Sequence, residues 1–274
     1  MNIVGRAPWP ASLWMALLVV ALGALLLAGL WAPAPYHVQF RDSSNAGPSA
    51  RFPLGTDELG RDRLSRLLHG SRTSLLLASA AAVLSISIAA AVGGVAGYLG
   101  GWPERCVVGV IDLFLSIPWL FLLLSVRALL PHNAPPIYSA VLTFALLGML
   151  GWAGPARVIL AAARSLRASD VTIAARACGL SLTRTFIAHV APHLKPLMLA
   201  QLRISIPVFI LSEANLGLLG LGVCEPLPSW GGLLRELENY SAIRTNPWVL
   251  APLLLLVGVM ISFEIGNPAK ELPQ

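Results

Sequence analysis

Charge is scarce in this chain. Asp, Glu, Lys and Arg make up only 12% of its 274 residues, whereas a soluble domain carries about a quarter. Cysteine is scarcer still. Cys106, Cys178 and Cys224 are far apart and form no C-x-x-C, which excludes a zinc ribbon or a disulfide framework. Also missing are GxxxxGK[ST], H-E-x-x-H and G-x-S-x-G, so neither ATP hydrolysis nor metalloprotease or esterase chemistry is expected of the chain itself. No Ser/His, paired-Asp or zinc constellation stands at matched depth, which argues against an intramembrane enzyme. No internal repeat is visible, which argues against an ion-coupled secondary transporter built from repeats.

What the chain has is apolar sequence in long blocks. Hydrophobic residues are 56% of the whole and the mean hydropathy is +0.74. Six blocks, about 11–32, 74–99, 106–130, 137–163, 197–222 and 248–265, are near the ~20 residues of helix that cross a bilayer core. Backbone groups in lipid must pair internally, so each block reads as a helix, and the alternation of a membrane β-barrel is absent. The first block is long for a signal peptide, and "WAPAPYHVQF" after it offers no convincing cleavage site. It reads as a retained span. The expected fold is therefore all-α, with six transmembrane helices in contact with lipid.

The polar parts are few. Residues 1–73 read as one span plus a polar segment, and 74–274 as a five-span core that contains a polar loop at 164–196. "LGGWPER" (99–105) and "PHNAPP" (131–136) are tight turns. The formal net charge of +6 fits basic loops facing an anionic leaflet better than nucleic acid. Arg157, Arg164, Arg167, Arg176, Arg184 and Lys195 stand against one acid, Asp170, in 156–196. This leans towards a cytoplasmic loop 164–196. With six spans, both termini lie on that same side, and 36–72 lies on the other.

Within the loop, "IAARACGLSLTRTFIAHVAP" (173–192) reads as two short helices. Ser169 can cap a helix from Asp170. Val171, Ala174, Ala175 and Cys178 then form one small-residue stripe, and Gly179 is the natural stop. Ser181 can cap a second helix, in which Leu182, Phe186 and Val190 share a face and which Pro192 ends. Such a helix suits docking into a groove on another protein, or lying on the membrane surface. A DNA-binding helix–turn–helix is disfavoured, because spans begin within a few residues on either side and a duplex would meet the bilayer.

Ionisable groups inside spans are functional by default. Asp112, Arg203 and Glu213 are the candidates, as pore-facing or intramembrane polar residues. Asp112 and Arg203 could pair, or could face another subunit. Glu213 could instead be helix-end packing. Arg127 is expected to snorkel to the outer surface near Pro131. In "GTDELGRD", Asp57 and Asp62 flank Arg61 between glycines, giving a tight, internally paired loop. His189 and His193 stand at i, i+4, but no third ligand accompanies them, so no metal site is assigned.

Several of these stretches resemble one family, the permeases of ABC importers of the dipeptide/oligopeptide type. Ala174, Ala175, Gly179, Val190 and Pro192 match its EAA motif. "FPLGTDELGRDRLSRLLHGSRTSL" (52–75), "DLFLSIPWL" (112–120) and "ILSEANLGLLGLGVCEPLPSWGGLL" (210–234) resemble further segments of its C-type members.

The resemblance implies the fold of a type I importer permease in a bacterial inner membrane. It also implies a homologous permease subunit as partner, two cytoplasmic ATPase subunits that hold ATP and magnesium, and an extracytoplasmic solute-binding protein that delivers peptide. No cofactor is implied in this chain. Ala174, Ala175, Arg176, Gly179, Val190 and Pro192 would couple to the ATPases. Gly55, Thr56, Asp57, Gly60, Arg61 and Asp62 would form an extracytoplasmic lip under the binding protein. Relatives also carry nickel chelates and other non-peptide solutes. Two departures stand out: Ile173 replaces the Glu of the EAA motif, and "ISFEIGNPAKELPQ" replaces the usual C-terminal tail.

Overall fold

The computed structural model describes residues 32–129, 135–239 and 246–265, with Gly23, Leu27, Ile243 and Arg244. Most of the first apolar block, residues 131–134 of the second turn and the tail after 265 lie outside the described residues.

The regular structure of the described chain is helix, with irregular segments at 32–62 and 219–229. Its sole strand-like pairing is an isolated bridge between Thr56 and Asp62. Helices α1 (Arg63–Leu99), α4 (Pro136–Arg167) and α6 (Leu182–Leu218) are each long and apolar enough to cross a membrane, as is the final segment Pro247–Glu264. Between α1 and α4, helices α2 (Gly101–Ser116) and α3 (Trp119–Ala128) meet at an 84° bend and together are long and apolar enough to count as one further span. Pro118 causes the break. Ile117 before it is extended, at φ −87° and ψ 127°, because the proline ring denies the preceding residue the helical region. Helix α5 (Asp170–Ala177) occupies the loop. Helices α7 (Trp230–Leu234) and α8 (Ala251–Ile265) follow α6.

The chain divides into two units, 1–76, 134–139 and 213–274 in the first, and 77–133 and 140–212 in the second. In the second unit the core is built from small residues. A Cβ on Gly93 would stand 2.6 Å from the carbonyl oxygen of Ala156, and one on Gly97 2.4 Å from that of Leu160. Gly93 and Gly97, at i and i+4, therefore let the backbones of α1 and α4 touch. This is the close-packing device of helices that cannot rely on water to drive them together. Ala96, Ala156, Ile159, Leu160, Ala163, Val190 and Leu194 are buried around that crossing. The turn 99–105 follows from Gly100 and Gly101, both at positive φ (71° and 67°). Beside it, buried Glu104 in the first turn of α2 pairs with Arg164 and lies 3.8 Å from Arg167.

In the first unit the segment 34–62 folds on its own backbone. Gly55 and Gly60 have φ of 70° and 76°. A side chain at Gly60 would run into the carbonyl of Phe40 at 2.3 Å, so glycine is required there for space as well as for φ.

Candidate functional site

Three arrangements put chemistry where a partner or solute could meet it. The first is the loop 164–196. Helix α5 begins after Ser169, which is extended as an N-cap should be. Its hydroxyl does not receive an amide, however. It donates to the Leu166 carbonyl at 2.7 Å and contacts the Thr172 hydroxyl at 3.2 Å, which corrects the expected cap bond. The C-terminus behaves as the sequence implies. Gly179 has φ 83°, its N–H donates to the Arg176 carbonyl at 3.0 Å, and the Leu180 N–H reaches the Ala175 carbonyl at 3.2 Å. That pair of bonds is a Schellman stop. No atom lies within 4 Å of a Cβ built on Gly179, so the glycine serves the left-handed turn rather than close packing.

Helix α5 is exposed on most of its circumference. Thr172 is buried, whereas Val171 and Ile173 are 55% and 56% exposed, beside exposed Ala174, Ala177 and Cys178. Ser181 then caps α6 by accepting from the Arg184 N–H at 3.4 Å. Pro192 does not end this helix, contrary to the sequence reading. A π turn, Phe186–Val190, precedes it, in which the Ala191 N–H bonds to the carbonyl of Phe186. The widened turn accommodates the ring that would otherwise press on the preceding turn. The loop is thus one short exposed helix, a glycine stop, and the extended start of a 37-residue helix.

The second arrangement lies in the first unit. Thr56 accepts the Ala46 N–H at 2.9 Å and donates to the Ser43 carbonyl. Asp57 accepts the Leu59 and Arg61 amides at 3.0 and 2.8 Å and the Arg61 Nε at 2.7 Å. Asp62 does not share Arg61. Its Oδ2 caps α1 instead, accepting from the Ser65 N–H at 2.8 Å and the Ser65 hydroxyl at 2.5 Å. Arg61 and Arg66 converge on Glu225, at 2.6 and 2.8 Å, and Arg63 pairs with Glu236. Asp57, Arg61, Arg63, Glu225 and Glu236 border a cleft of about 590 Å³ lined also by Glu58 and Arg235. Glu225 is the residue sequence reasoning missed. It sits between cysteine and proline in "CEPLP", and nothing local marks its arginine partners more than 150 positions away.

Burial pushes the Glu225 carboxyl up, but hydrogen bonds and charge from Arg66 and Arg61 outweigh it and hold the pKa below the ordinary 4.5. A depressed folded-state pKa gives stability that is present above 4.5 and lost as pH falls through the folded value. Thermal stability in detergent is therefore expected to fall more steeply for wild type than for Glu225→Gln below pH 4.5. Parallel pH curves would show that the cluster contributes nothing.

The third arrangement is inside the spans. Glu213 on α6 is fully buried. Its Oε2 accepts the Gly231 N–H at 3.2 Å and faces the Ser74 hydroxyl at 3.4 Å. Ser74 in turn accepts the Trp230 N–H at 3.0 Å, and Ser71 accepts the Trp230 indole at 2.9 Å. Glu213 thus holds the start of α7 from within the helix layer. Asp112 pairs with Arg157, not with Arg203. Arg127 does not snorkel, being 1% exposed. Arg203 is exposed.

Residues 72–267 match the family described as binding-protein-dependent transport system inner membrane component. The chain belongs to this family. It is a multi-pass permease component of ABC importers. Among its relatives, the oligopeptide transport system permease protein OppC of Mycobacterium tuberculosis is 33% identical over 251 residues, covering 89% of this chain and 84% of the relative. The di/tripeptide transport system permease protein DppC of Pseudomonas aeruginosa is 34% identical over 269 residues, 92% and 86% of the two chains. The nickel transport system permease protein NikC of Escherichia coli is 30% identical over 274 residues, 99% and 96% of the two. In this permease the family match spans both the exposed loop helix and Ser74 and Glu213, two of the residues that seat α7.

Proposed function

We propose that the permease forms half of the translocation pore of an ATP-driven importer of di- or oligopeptides, with a homologous subunit supplying the other half. Its loop 164–196 lies in the cytoplasm together with both termini, and two ATPase subunits carrying ATP and magnesium dock on α5. The observation that carries this reading is the exposed small-residue face of α5 ahead of the glycine stop. A groove on a partner covers that face, and beyond Gly179 the chain continues directly into α6. A push on α5 therefore reaches a span, as alternating access by rigid-body tilting requires. Ile173 makes this contact apolar where the EAA motif carries a glutamate. The loop of Gly55, Thr56, Asp57, Gly60, Arg61 and Asp62, tied to Glu225, is the lip on which the solute-binding protein sits.

Peptide is favoured by the names of the oligopeptide and di/tripeptide relatives. A nickel-chelate importer is the second reading, favoured by the nickel relative that matches 99% of this chain. The test is a mild-detergent pull-down of tagged protein from its native host, with identification of everything retained. A second six-span subunit, Walker-motif ATPases and a binding protein are expected, and the ligand of that binding protein separates the two substrates. Recovery of this chain alone, while other membrane complexes survive intact, would overturn the assembly.

A further inference from the structure

The guanidinium of Arg203 makes no ion pair or hydrogen bond among the described residues, although the residue lies within one turn of the midpoint of the 37-residue helix α6. The inward stripe of α6 is Leu194, Ser205, Phe209 and Ser212, all buried. Arg203 points the other way, exposed beside Leu199 and Ile204, which are 57% and 46% exposed.

Two prolines inside the helix, Pro196 and Pro207, share that outward stripe with Arg203, at i, i+7 and i+11. A proline brings no N–H to the carbonyl four residues before it, so Pro207 offers none to the carbonyl of Arg203 itself. An unpaired guanidinium and a helix backbone short of donors are both unfavourable against hydrocarbon. Burying the arginine against an acid of a second subunit would carry the desolvation cost of a dry ion pair. Water removes both problems. Elsewhere in the same unit, the Asp112–Arg157 pair is also more than half exposed on both side chains, so ions at span depth recur there.

We propose that the Arg203 face of α6 lines the water-filled substrate pathway, and that Arg203 is the counter-charge for the carboxylate of a passing substrate. The proposal rests on the importer reading above and names the chemistry of its pore. A fixed cation without a partner raises the local concentration of anions in a narrow conduit. It thereby favours peptides with free carboxyl groups over cationic solutes.

Leu199→Cys, one turn from Arg203, is made in a complete importer complex whose Cys106, Cys178 and Cys224 are replaced by serine, with Arg203 either kept or changed to Gln or Lys. Membrane-impermeant anionic and cationic methanethiosulfonates are compared in proteoliposomes. Both reagents should react at position 199. The ratio of anionic to cationic rates should fall about fivefold with Arg203→Gln and hold with Arg203→Lys, and transported peptide should slow the reaction.

If position 199 reacts only with a lipid-soluble maleimide, or with nothing, the face meets lipid or the sister subunit and the proposal is overturned. Equal ratios for Arg203 and Arg203→Gln overturn the counter-charge. Charge-dependent reaction that peptide fails to slow supports the pathway, and places the failure with the peptide reading instead.

Discussion

Gly217→Ala is expected to be the most damaging single-methyl change in the permease. A Cβ at this position would lie 2.2 Å from the backbone carbon of Gly231 and 2.6 Å from its oxygen. At such distances something must move, and what it meets is backbone rather than a flexible side-chain end. The contact cannot relax locally either. The same short helix α7 is pinned by the Glu213 carboxylate on the Gly231 N–H and by Ser74 and Ser71 on Trp230. Overpacking of this kind costs about 3 kcal/mol or more, a large part of a domain's stability. Membrane abundance and thermal unfolding in detergent should both fall clearly. Gly154→Ala, with nothing within 4 Å of its Cβ, is the control and should be neutral or mildly stabilising. Equal stability of the two variants would show that α6 and α7 are not in backbone contact.

The second large effect is expected on transport alone. Ala174 is exposed on α5, and arginine propagates a helix nearly as well as alanine, so Ala174→Arg should leave folding and membrane abundance unchanged. It places a long charged side chain on the small-residue face that the ATPases are proposed to cover. Uptake should drop at least tenfold, a cost of about 1.4 kcal/mol or more in docking, and ATPase subunits should be lost from pull-downs. Wild-type uptake would remove α5 from the coupling path. Changing Arg184 to alanine, also exposed but beyond the glycine stop, gives a comparison for nonspecific charge effects.

Much of this was legible from the sequence because it is local. The span helices follow from apolar block length, since a backbone in lipid can pair only with itself. The stop at Gly179 and the cap at Ser181 are decided within a turn of each residue, by φ and by one side-chain acceptor. Where local rules misled, a neighbour had altered the premise. Pro192 reads as a terminator, but the π turn before it changes the geometry into which the ring must fit. Ser169 sits at the N-cap position, yet its hydroxyl bonds to the Leu166 carbonyl behind it.

The sequence by itself determined an all-α membrane chain, the family to which it belongs and the helix that its polar loop displays. Each rests on composition, motif order or 3.6-residue periodicity. Only the tertiary structure decided the partners of the charges. Glu225 took Arg61 and Arg66, Asp112 took Arg157 and left Arg203 without a counter-ion among the described residues, and Glu213 turned to the amide of Gly231. Charge pairing depends on distance in space, which the fold sets across 18 to 164 positions of chain. No pattern within a few residues carries that information.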